Sequence, residues 1–517
     1  MLPVQLSGTR QLQHTFSSKV SLRRCRKVQW GAVLGLSLLF FGLMSVASVL
    51  PGRMAQAHHC SKLTDNSWLS RTLQAAGQQS SSSLPATADV SQAVVQAFTA
   101  VHAAAEQGLQ PADMVWRCRS QPEPAGEVYD PCWECGTKQA GKHKQQAADS
   151  SMPTQPSSTA EDGPPVATVV ARLDLSAILA GVGEYPQGSS SGRGIVVVGG
   201  GPKFTPAALV CVAFVRRTGC TLPIEVWAPP HEPIPTAVEA DFTALRNVTL
   251  RSLGDAFPSI ANDNMRERNF LSKQLAMLAS AFQEVLFLDA DNLPLRDPSF
   301  LFEEPLYTDT GLLMWPDFWA SQVKAGAWEA LGIPPDMRPK GSHESGQVVL
   351  DKQRAWQPLL LAIFLNMRGD VFYPLLSDIG QGDKETLPLA WLGLRRGKDG
   401  LVPHGTGALH TADGIDKGTA MLQRSPDGVP LFLHAHLPKI DVPKKHVELP
   451  PAVPRRWKAF TGADAVLPGG LNASRFDLHS YEVLDAIAGV AVEVELLQLR
   501  NYLRCRPEWV ACCMQLQ

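Results

Sequence analysis

Four consecutive apolar residues, Val285 to Leu288, run directly into Asp289-Ala-Asp291 and constrain the fold more than any other stretch of the chain. A short apolar run of this kind is typical of a strand buried on both faces of an α/β sheet. Open α/β sheets bind ligands at the carboxyl ends of their strands. In an extended chain, residues two apart point the same way, so Asp289 and Asp291 can share one divalent cation. The sequence therefore predicts a metal site at the end of a buried strand, followed by a turn at Asn292-Leu-Pro294.

Two classes of enzyme place Asp-x-Asp after a strand. Metal-dependent glycosyltransferases use it to hold a cation that also binds the diphosphate of a nucleotide sugar. Phosphatases of the haloacid dehalogenase type have Thr or Val two residues after the second Asp, where this chain has Leu293. The phosphatase is therefore the minor alternative, because the sequence context of a short motif decides its meaning.

The N-terminus carries a membrane-targeting pattern. The first 27 residues contain six Lys or Arg and no acid, and 28–50 contain no charged residue. At about 1.5 Å per residue this run can span a bilayer. A basic N-terminal flank keeps that end in the cytosol. We expect a cytosolic tail (1–27) and an uncleaved signal anchor (28–50), with a signal peptide cleaved after Ala55-Gln-Ala57 as the alternative.

The composition fits a luminal protein with a large folded part. The hydrophobic content of 44% can bury one large core or two ordinary ones, and the net charge of −2 argues against nucleic acid as a partner. A stretch rich in Ser, Gln and Pro (51–191) reads as a stem. Asn247 and Asn472 begin Asn-x-Ser/Thr acceptors for N-glycosylation. Of ten cysteines, only Cys25 precedes the anchor, so an odd number lies beyond it.

Beyond the stem, apolar runs alternate with helical patterns. Strands are predicted at Ile195–Val198, Leu222–Trp227 and Val248–Leu250, and helices at Pro206–Arg217, at Met265–Phe282 and, near the C-terminus, at Tyr481–Leu503. This alternation indicates a mostly parallel sheet. The glycines between the first strand and the first helix lack the spacing of a phosphate loop, so a tight turn is favoured over a phosphate cradle.

Several motifs together resemble a known family. They are Phe282–Pro298, Leu312–Trp319, His343–Gln347, Gly382–Thr386 and His434–Lys439. In this order they look like those of the fungal alpha-mannosyltransferases of the Mnn1 and Mnn2 types, glycosyltransferase family 71. The resemblance covers roughly 194–440.

The resemblance implies an α/β catalytic domain of the GT-A nucleotide-diphospho-sugar transferase fold, with a Rossmann-like sheet, at 192–445. A helical extension (446–517) would follow. It also implies a single-pass type II Golgi membrane enzyme that uses Mn²⁺ or another divalent cation. The reaction would transfer mannose, with retention, from a nucleotide donor, GDP-mannose being favoured, to glycan or glycoprotein acceptors.

Each of these motifs contains candidate site residues. His434, at the end of a short predicted strand, is expected to be the third metal ligand beside Asp289 and Asp291, with His436 as the rival. The residues expected to bind the donor are Lys273, Glu344, Gln347, Lys384 and Lys439. Asp383 and Glu385 are the candidate catalytic carboxylates, and Trp315 and Trp319 are candidates for stacking on the acceptor or for core packing.

The sequence leaves three points open. The same fold could use a UDP-sugar, since Asp-x-Asp binds the diphosphate and not the base. A glycan-binding relative without turnover is a second alternative. Cys512 and Cys513 near the C-terminus are compatible with a bridge or with contacts in a homodimer.

Overall fold

The structure is a computed structural model of the chain. The residues that it describes are 90–107, 114–115, 169–170, 172–260, 270–376, 382–394, 400–411, 414–415, 420–434, 457–461, 478–480 and 482–514. The predicted anchor at 28–50 and most of the predicted stem lie outside these ranges, and so do His436, Lys439 and Asn472.

The strands in chain order are β1 (Met114–Val115), β2 (Val169–Val170), β3 (Arg193–Val198), β4 (Ile224–Ala228), β5 (Val248–Ser252), β6 (Glu284–Asp289), β7 (Asn292–Pro294), β8 (Leu312–Ala320), β9 (Gly341–Asp351), β10 (Gly407–Thr411), β11 (Gly414–Ile415), β12 (Met421–Arg424), β13 (Pro430–His434), β14 (Trp457–Thr461) and β15 (Leu478–Ser480).

The α-helices in chain order are α1 (Gln92–Gln107), α2 (Leu175–Leu179), α3 (Gly201–Arg217), α4 (Thr236–Thr243), α5 (Leu253–Ala256), α6 (Leu271–Ala279), α7 (Pro305–Thr310), α8 (Ala325–Ala330), α9 (Lys352–Met367), α10 (Gly369–Leu376), α11 (Thr386–Gly393), α12 (Glu482–Ala488), α13 (Val492–Cys505) and α14 (Pro507–Met514). Short 3-10 helices occur at Pro258–Ile260, Pro298–Glu303 and Pro335–Met337.

The main sheet has six strands in the order β5-β4-β3-β6-β9-β8. Strands β5, β4, β3 and β6 are parallel, whereas β9 runs antiparallel to β6 and to β8. The predicted mostly parallel sheet and its predicted strands are confirmed. The mixed order places β6, the strand that leads into Asp289, between a parallel and an antiparallel neighbour.

Strand β6 is buried on both faces, as its continuous apolar run predicts. Val285 and Phe287 belong to one cluster of buried apolar side chains, while Leu286 and Leu288 belong to another. Successive side chains of a strand point to opposite faces, so the sheet separates the two clusters. Burying four such side chains contributes roughly 1.5–3 kcal/mol each, which fixes the position of the strand end.

A second, antiparallel sheet begins directly after the Asp-x-Asp motif. Its strands follow the order β15-β14-β10-β12-β13-β7, with β11 paired to β10. Asn292-Leu-Pro294 was predicted to be a turn, but it forms β7 and pairs with β13, Asn292 lying opposite His434. This pairing brings His434, from late in the chain, to the end of β6.

The glycines before α3 serve close packing. A Cβ at Gly200 would lie 2.0 Å from the carbonyl oxygen of Glu232, and one at Gly199 would lie 2.4 Å from Cβ of Ala208. Gly201 has a φ of 61°, in the left-handed region that glycine adopts readily. The loop that contains Glu232 thus packs on this turn, as expected for a tight turn and not for an open phosphate cradle.

Helix α1 belongs to the core although it lies in the segment predicted to be stem. Phe98 is fully buried, and its ring lies 4.6 Å from that of Phe257, measured between centroids. Two other predicted helices differ in their bounds. Of the helix predicted at Met265–Phe282, the structure shows Leu271–Ala279 as α6. Positions 265–269 lie outside the described ranges. The helix predicted at Tyr481–Leu503 is divided into α12 and α13 at Gly489, whose φ of 65° interrupts the helical backbone.

Within the described ranges no single helix is both long enough and apolar enough to span a bilayer. Only α9 and α10 taken together meet the length and composition test, and they are bent by 98° where they meet.

Candidate active site

Two aspartates mark the carboxyl end of β6. Asp289 is the last residue of the strand, and Asp291 follows in the turn to β7. Both side chains are about one-fifth exposed. The burial of Leu288 on one side and of Leu293 on the other holds this turn in place, so both carboxylates stand at the sheet edge where open α/β sheets bind ligands.

His434 completes a cluster with the two aspartates. It is the last residue of β13, and its Nε2 lies 3.1 Å from Oδ1 of Asp291 and 3.8 Å from Oδ2 of Asp289. The three potential ligand atoms all lie within 4.8 Å of one another. Two carboxylates and an imidazole form a donor set that suits a divalent first-row metal ion. The structure thus brings together the three residues that the sequence predicted as metal ligands.

The electrostatics of the cluster favour a cation. Burial alone would lower the pKa of His434, but the hydrogen bond and the charge of Asp291, with the charges of Glu344 and Asp289, outweigh it and raise the pKa to about 9. Burial also raises the pKa of Asp289, against the opposing effects of Lys273 and His434. Negative charge that holds a proton on a buried imidazole would equally attract a metal ion, whose binding would displace that proton.

Lys273 links this cluster to Asp383. Its Nζ donates a hydrogen bond of 2.9 Å to Asp289 and one of 3.2 Å to Oγ of Ser345, and it lies 3.7 Å from Oδ1 of Asp383. Burial would lower the pKa of Lys273, but the charges of Asp289 and Asp383 outweigh it and raise the pKa. One ammonium group therefore stands between the predicted metal ligands and the predicted catalytic carboxylate.

Gln274 is a site residue that the sequence reasoning missed. Its Nε2 donates a 3.1 Å hydrogen bond to Oδ2 of Asp383, while its Oε1 has no hydrogen-bond partner among the residues that the structure describes. The side chain is 3% exposed. The sequence contains a signal for this contact, because Gln274 lies on the same face of α6 as the apolar Leu271 and Leu278. A polar side chain buried on an apolar stripe is expected to have a hydrogen-bond partner.

A small cleft lies beside these residues. Its polar lining comes from Lys273, Gln274, Glu344, Ser345, Asp383 and Lys384, and its apolar lining comes from Met277, Phe287, Met314, Val348, Leu387 and Pro388. An apolar surface with a few convergent polar groups is the usual composition of a small-molecule site. Lys273, which lines the cleft, also contacts Asp289 of the metal-ligand cluster.

The structure corrects the prediction that Glu385 contacts the substrate. The residue is 2% exposed, and its carboxylate accepts hydrogen bonds from Oγ of Ser342 at 2.5 Å and from the backbone amide of His343 at 3.0 Å. Its other oxygen lies 3.0 Å from Nδ1 of His343. The His343 charge and these hydrogen bonds outweigh burial and lower the pKa of Glu385. Glu385 therefore fixes the start of β9 to the start of α11.

Gln347 is likewise turned away from the cleft. It is fully buried, and its Oε1 accepts a 2.6 Å hydrogen bond from Nδ2 of Asn292. The predicted donor contact of Gln347 is therefore corrected to a contact that joins β9 to β7. Lys384 does line the cleft, but its Nζ also forms a 2.6 Å ion pair with Asp317.

The two predicted acceptor tryptophans occupy different environments. Trp315 is fully buried, its ring lies 5.5 Å from that of Phe432, and its Nε1 donates to the carbonyl of Arg424. Trp315 is therefore a packing residue and has no exposed face for a sugar. Trp319 is half-buried and packs against the small cluster of Ala408 and Met421.

Trp319 packs on a cluster that includes Met421, a residue of the strand paired with that of His434. Met421 is directly opposite His434 in the β12–β13 pair. Side chains of directly opposed residues share one face of an antiparallel pair and are separated by about 4.5–5.5 Å at Cβ. This pairing places Met421 beside His434, and the acceptor role of Trp319 stays a prediction.

These environments predict different results for two alanine variants. Trp315→Ala should lower the free energy of unfolding by about 3–5 kcal/mol, because it leaves a large cavity in the core. Trp319→Ala should cost less stability and instead raise the KM for the acceptor. Thermal unfolding of the purified full chain, combined with acceptor titration, measures both effects. A Trp315→Ala protein that melts like the wild type would contradict the packing assignment.

Asn247 is exposed and has a φ of 55°. Its position at the surface is compatible with N-glycosylation, which stays a prediction, as does that of Asn472 outside the described residues. The predicted roles of Lys439 and His436 also concern residues outside the described ranges.

Comparison with known proteins gives a family match over the segment that contains most of this site. Residues 192–334 and 335–397 match the family model described as "Mannosyltransferase putative". The chain is 31% identical over 282 residues to alpha-1,2-mannosyltransferase MNN2 of Saccharomyces cerevisiae, a match that covers 46% of this chain and 46% of the yeast protein. It is 32% identical over 251 residues to alpha-1,2-mannosyltransferase MNN21 of Candida albicans, covering 39% of this chain and 38% of the relative.

These matches confirm the resemblance to the fungal mannosyltransferases that the motifs predicted. The chain spans about half the length of the curated relatives it matches, or less. Among solved structures, the galactosyltransferase LgtC in complex with donor and acceptor sugar analogues aligns with a TM-score of 0.29 and 15% identity, covering 40% of this chain and 72% of that one. A TM-score this low does not establish a shared fold.

Proposed function

We propose that this chain, whose residues 192–397 match the mannosyltransferase family, is a metal-dependent glycosyltransferase that moves mannose from GDP-mannose to a glycan acceptor. One observation carries the proposal: Asp289, Asp291 and His434 converge at the carboxyl end of β6, with Asp383 held beside them through Lys273. A site for a cation and a carboxylate a few ångströms away are what transfer from a nucleotide diphosphate sugar requires.

Asp289, Asp291 and His434 would hold the cation, with Mn²⁺ as our proposal. When bound, such an ion supplies positive charge against the diphosphate leaving group. Lys273 adds a second positive charge next to Asp289 and can stabilise negative charge that grows as the glycosidic bond breaks. These groups are fixed in place by the fold, so they need little reorganisation during the reaction.

Asp383 would act at the reacting sugar. Its carboxylate is held by hydrogen bonds from Gln274 at 3.1 Å and from Ser345 at 3.4 Å, and it lies 3.7 Å from the Lys273 ammonium. A carboxylate stabilised in this way is a weak nucleophile, and it is well placed to orient an acceptor hydroxyl or to stabilise an oxocarbenium-like transition state. This supports retention by same-face attack without a covalent intermediate.

The proposed setting is the Golgi lumen, with 28–50 as the membrane anchor of a type II protein and the GT-A fold for the catalytic domain. The relatives named above are alpha-1,2-mannosyltransferases, so we propose an alpha-1,2 linkage in the product. The alternatives are the same site with a UDP-sugar, and a glycan-binding protein without turnover.

A donor panel separates these possibilities. The full chain, purified in detergent, is incubated with a mannose-terminated glycan and with GDP-mannose, UDP-galactose or UDP-glucose, with Mn²⁺ or with EDTA. We expect transfer from GDP-mannose alone, with its loss in EDTA, and an alpha-1,2 linkage in the product. Transfer from a UDP-sugar would favour the first alternative. Glycan binding without transfer from any donor would favour the second.

A further inference from the structure

We propose that Gly346 and Glu344 are positioning residues that set the orientation of the His434 ring, so that its Nε2 faces Asp289 and Asp291. This inference rests on the metal site of the proposed function. It changes the assignment of Glu344, which the sequence placed at the donor, and it gives Gly346 a role that no motif suggested.

Gly346 lies directly beside Cε1 and Nδ1 of the His434 ring. A Cβ at this position would lie 2.4 Å from Cε1 and 2.5 Å from Nδ1 of His434. Real Cβ atoms do not approach other heavy atoms so closely, so any side chain at 346 would have to displace the imidazole. Gly346 lies inside β9 and is not among the residues with positive φ. Its lack of a side chain is therefore needed for space and not for backbone conformation.

The backbone at Gly346 cannot easily move away from the ring. Nδ2 of Asn292, a fully buried residue, donates a 2.9 Å hydrogen bond to the Gly346 carbonyl and a 2.6 Å hydrogen bond to Oε1 of Gln347. Asn292 is also the direct β-ladder partner of His434. The same short strand therefore holds both the imidazole and the glycine that packs on it.

Glu344 acts at the other ring nitrogen. Its Oε1 accepts hydrogen bonds from the backbone amides of Ser345 at 3.0 Å and of Gly346 at 2.9 Å, and it lies 3.7 Å from Nδ1 of His434. The Glu344 side chain is 11% exposed. A carboxylate near Nδ1 favours the tautomer with its proton on that nitrogen, which leaves the Nε2 lone pair for a metal ion.

The test measures Mn²⁺ binding to the full chain by calorimetry, with no nucleotide present. Gly346→Ala should weaken binding about tenfold or more, the scale expected when a group that orients a ligand is lost. Gly254→Ala is the matched control, since a Cβ there would approach Pro230 and Ser252 no closer than 3.4 Å, an ordinary contact. It should bind Mn²⁺ like the wild type. Glu344→Gln, which keeps an oxygen for the two amides but removes the charge, should also weaken binding.

A double-mutant cycle distinguishes action through His434 from a general effect on the fold. In a His434→Ala background, Gly346→Ala and Glu344→Gln should cause no further loss of Mn²⁺ affinity. If His434→Ala leaves too little binding to measure, the contrast between Gly346→Ala and Gly254→Ala decides. If Gly346→Ala does not fold, Glu344→Gln decides.

Wild-type affinity in Gly346→Ala and Glu344→Gln, or an equal loss in both backgrounds, would overturn the inference while leaving the proposed metal site intact. A wild-type chain that binds no Mn²⁺ would instead refute the metal site itself, and the inference with it.

Discussion

Asp291→Asn should lower transferase activity at least about a hundredfold, the scale seen when a group that stabilises transition-state charge is removed. The substitution keeps the shape of the side chain but removes a charged oxygen that lies 3.1 Å from His434 Nε2. A cation would then be held by one carboxylate, one imidazole and a neutral amide oxygen, which attracts a cation less than the carboxylate does. We expect Mn²⁺ affinity and activity to fall together, as measured by calorimetry and by donor turnover on the full chain.

Asp291 is a better target for this test than Asp289. Asp289 forms an ion pair with Lys273 at 2.9 Å, so its removal would also release the lysine and confuse two effects. Asp309→Asn is the control, because Asp309 is an exposed carboxylate at the end of α7 that belongs neither to the metal-ligand cluster nor to the lining of the cleft. Full activity of Asp291→Asn, or of the wild type in EDTA, would exclude the metal-dependent mechanism.

The strand that presents these aspartates was predictable because its signal is local. The run Val285–Leu288 is apolar at every position, and only a strand with both faces covered satisfies all four side chains. The alternation of an extended chain also predicted that Asp289 and Asp291 point the same way. Directly after the motif, Asn292-Leu-Pro294 resembles a turn by its composition. In the structure it is a strand that pairs with β13. That pairing joins segments about 140 positions apart, and the sequence of neither segment indicates its partner.

Asp383 and Glu385 are close in sequence but have different environments, which their spacing alone could not predict. Asp383 and Glu385 flank one lysine and were predicted to face the substrate together. In the structure Asp383 lines the cleft, while Glu385 binds Ser342 and His343 inside the protein. The chain turns between them as it enters α11, so two residues two apart do not share a face as they would in an extended strand.

The tryptophans of β8 show the same limit for a different reason. Trp315 and Trp319 lie in one strand, but the register of β8 against β9 shifts between Pro316 and Ala320. A bulge of this kind redirects the side chains that follow it. Alternation counted from the sequence therefore could not tell which of the two rings would be buried.

Asp383→Asn should lower turnover by about a hundredfold while Mn²⁺ and nucleoside diphosphate bind nearly as they do to the wild type. Asp383 does not belong to the cluster of Asp289, Asp291 and His434, and the Lys273 ammonium lies between Asp383 and Asp289. An interaction made mainly in the transition state changes kcat more than ground-state binding. Steady-state kinetics with GDP-mannose, together with calorimetry of Mn²⁺ and GDP, measures the two quantities separately.

The two variants should differ in Mn²⁺ affinity, which should fall in Asp291→Asn and stay nearly unchanged in Asp383→Asn. Loss of metal binding in both variants would mean that Asp383 supports the cation site, through the ammonium of Lys273 that lies between the two carboxylates Asp289 and Asp383. Gln274→Ala resolves that outcome, because Gln274 contacts Asp383 at 3.1 Å and is not among the metal-site residues. If Asp383 acts at the sugar, freeing its carboxylate in this way should reduce kcat by a smaller factor than Asp383→Asn and leave Mn²⁺ affinity unchanged. A Gln274→Ala protein with weakened Mn²⁺ binding and normal kcat at saturating metal would instead assign both residues to the support of the cation site.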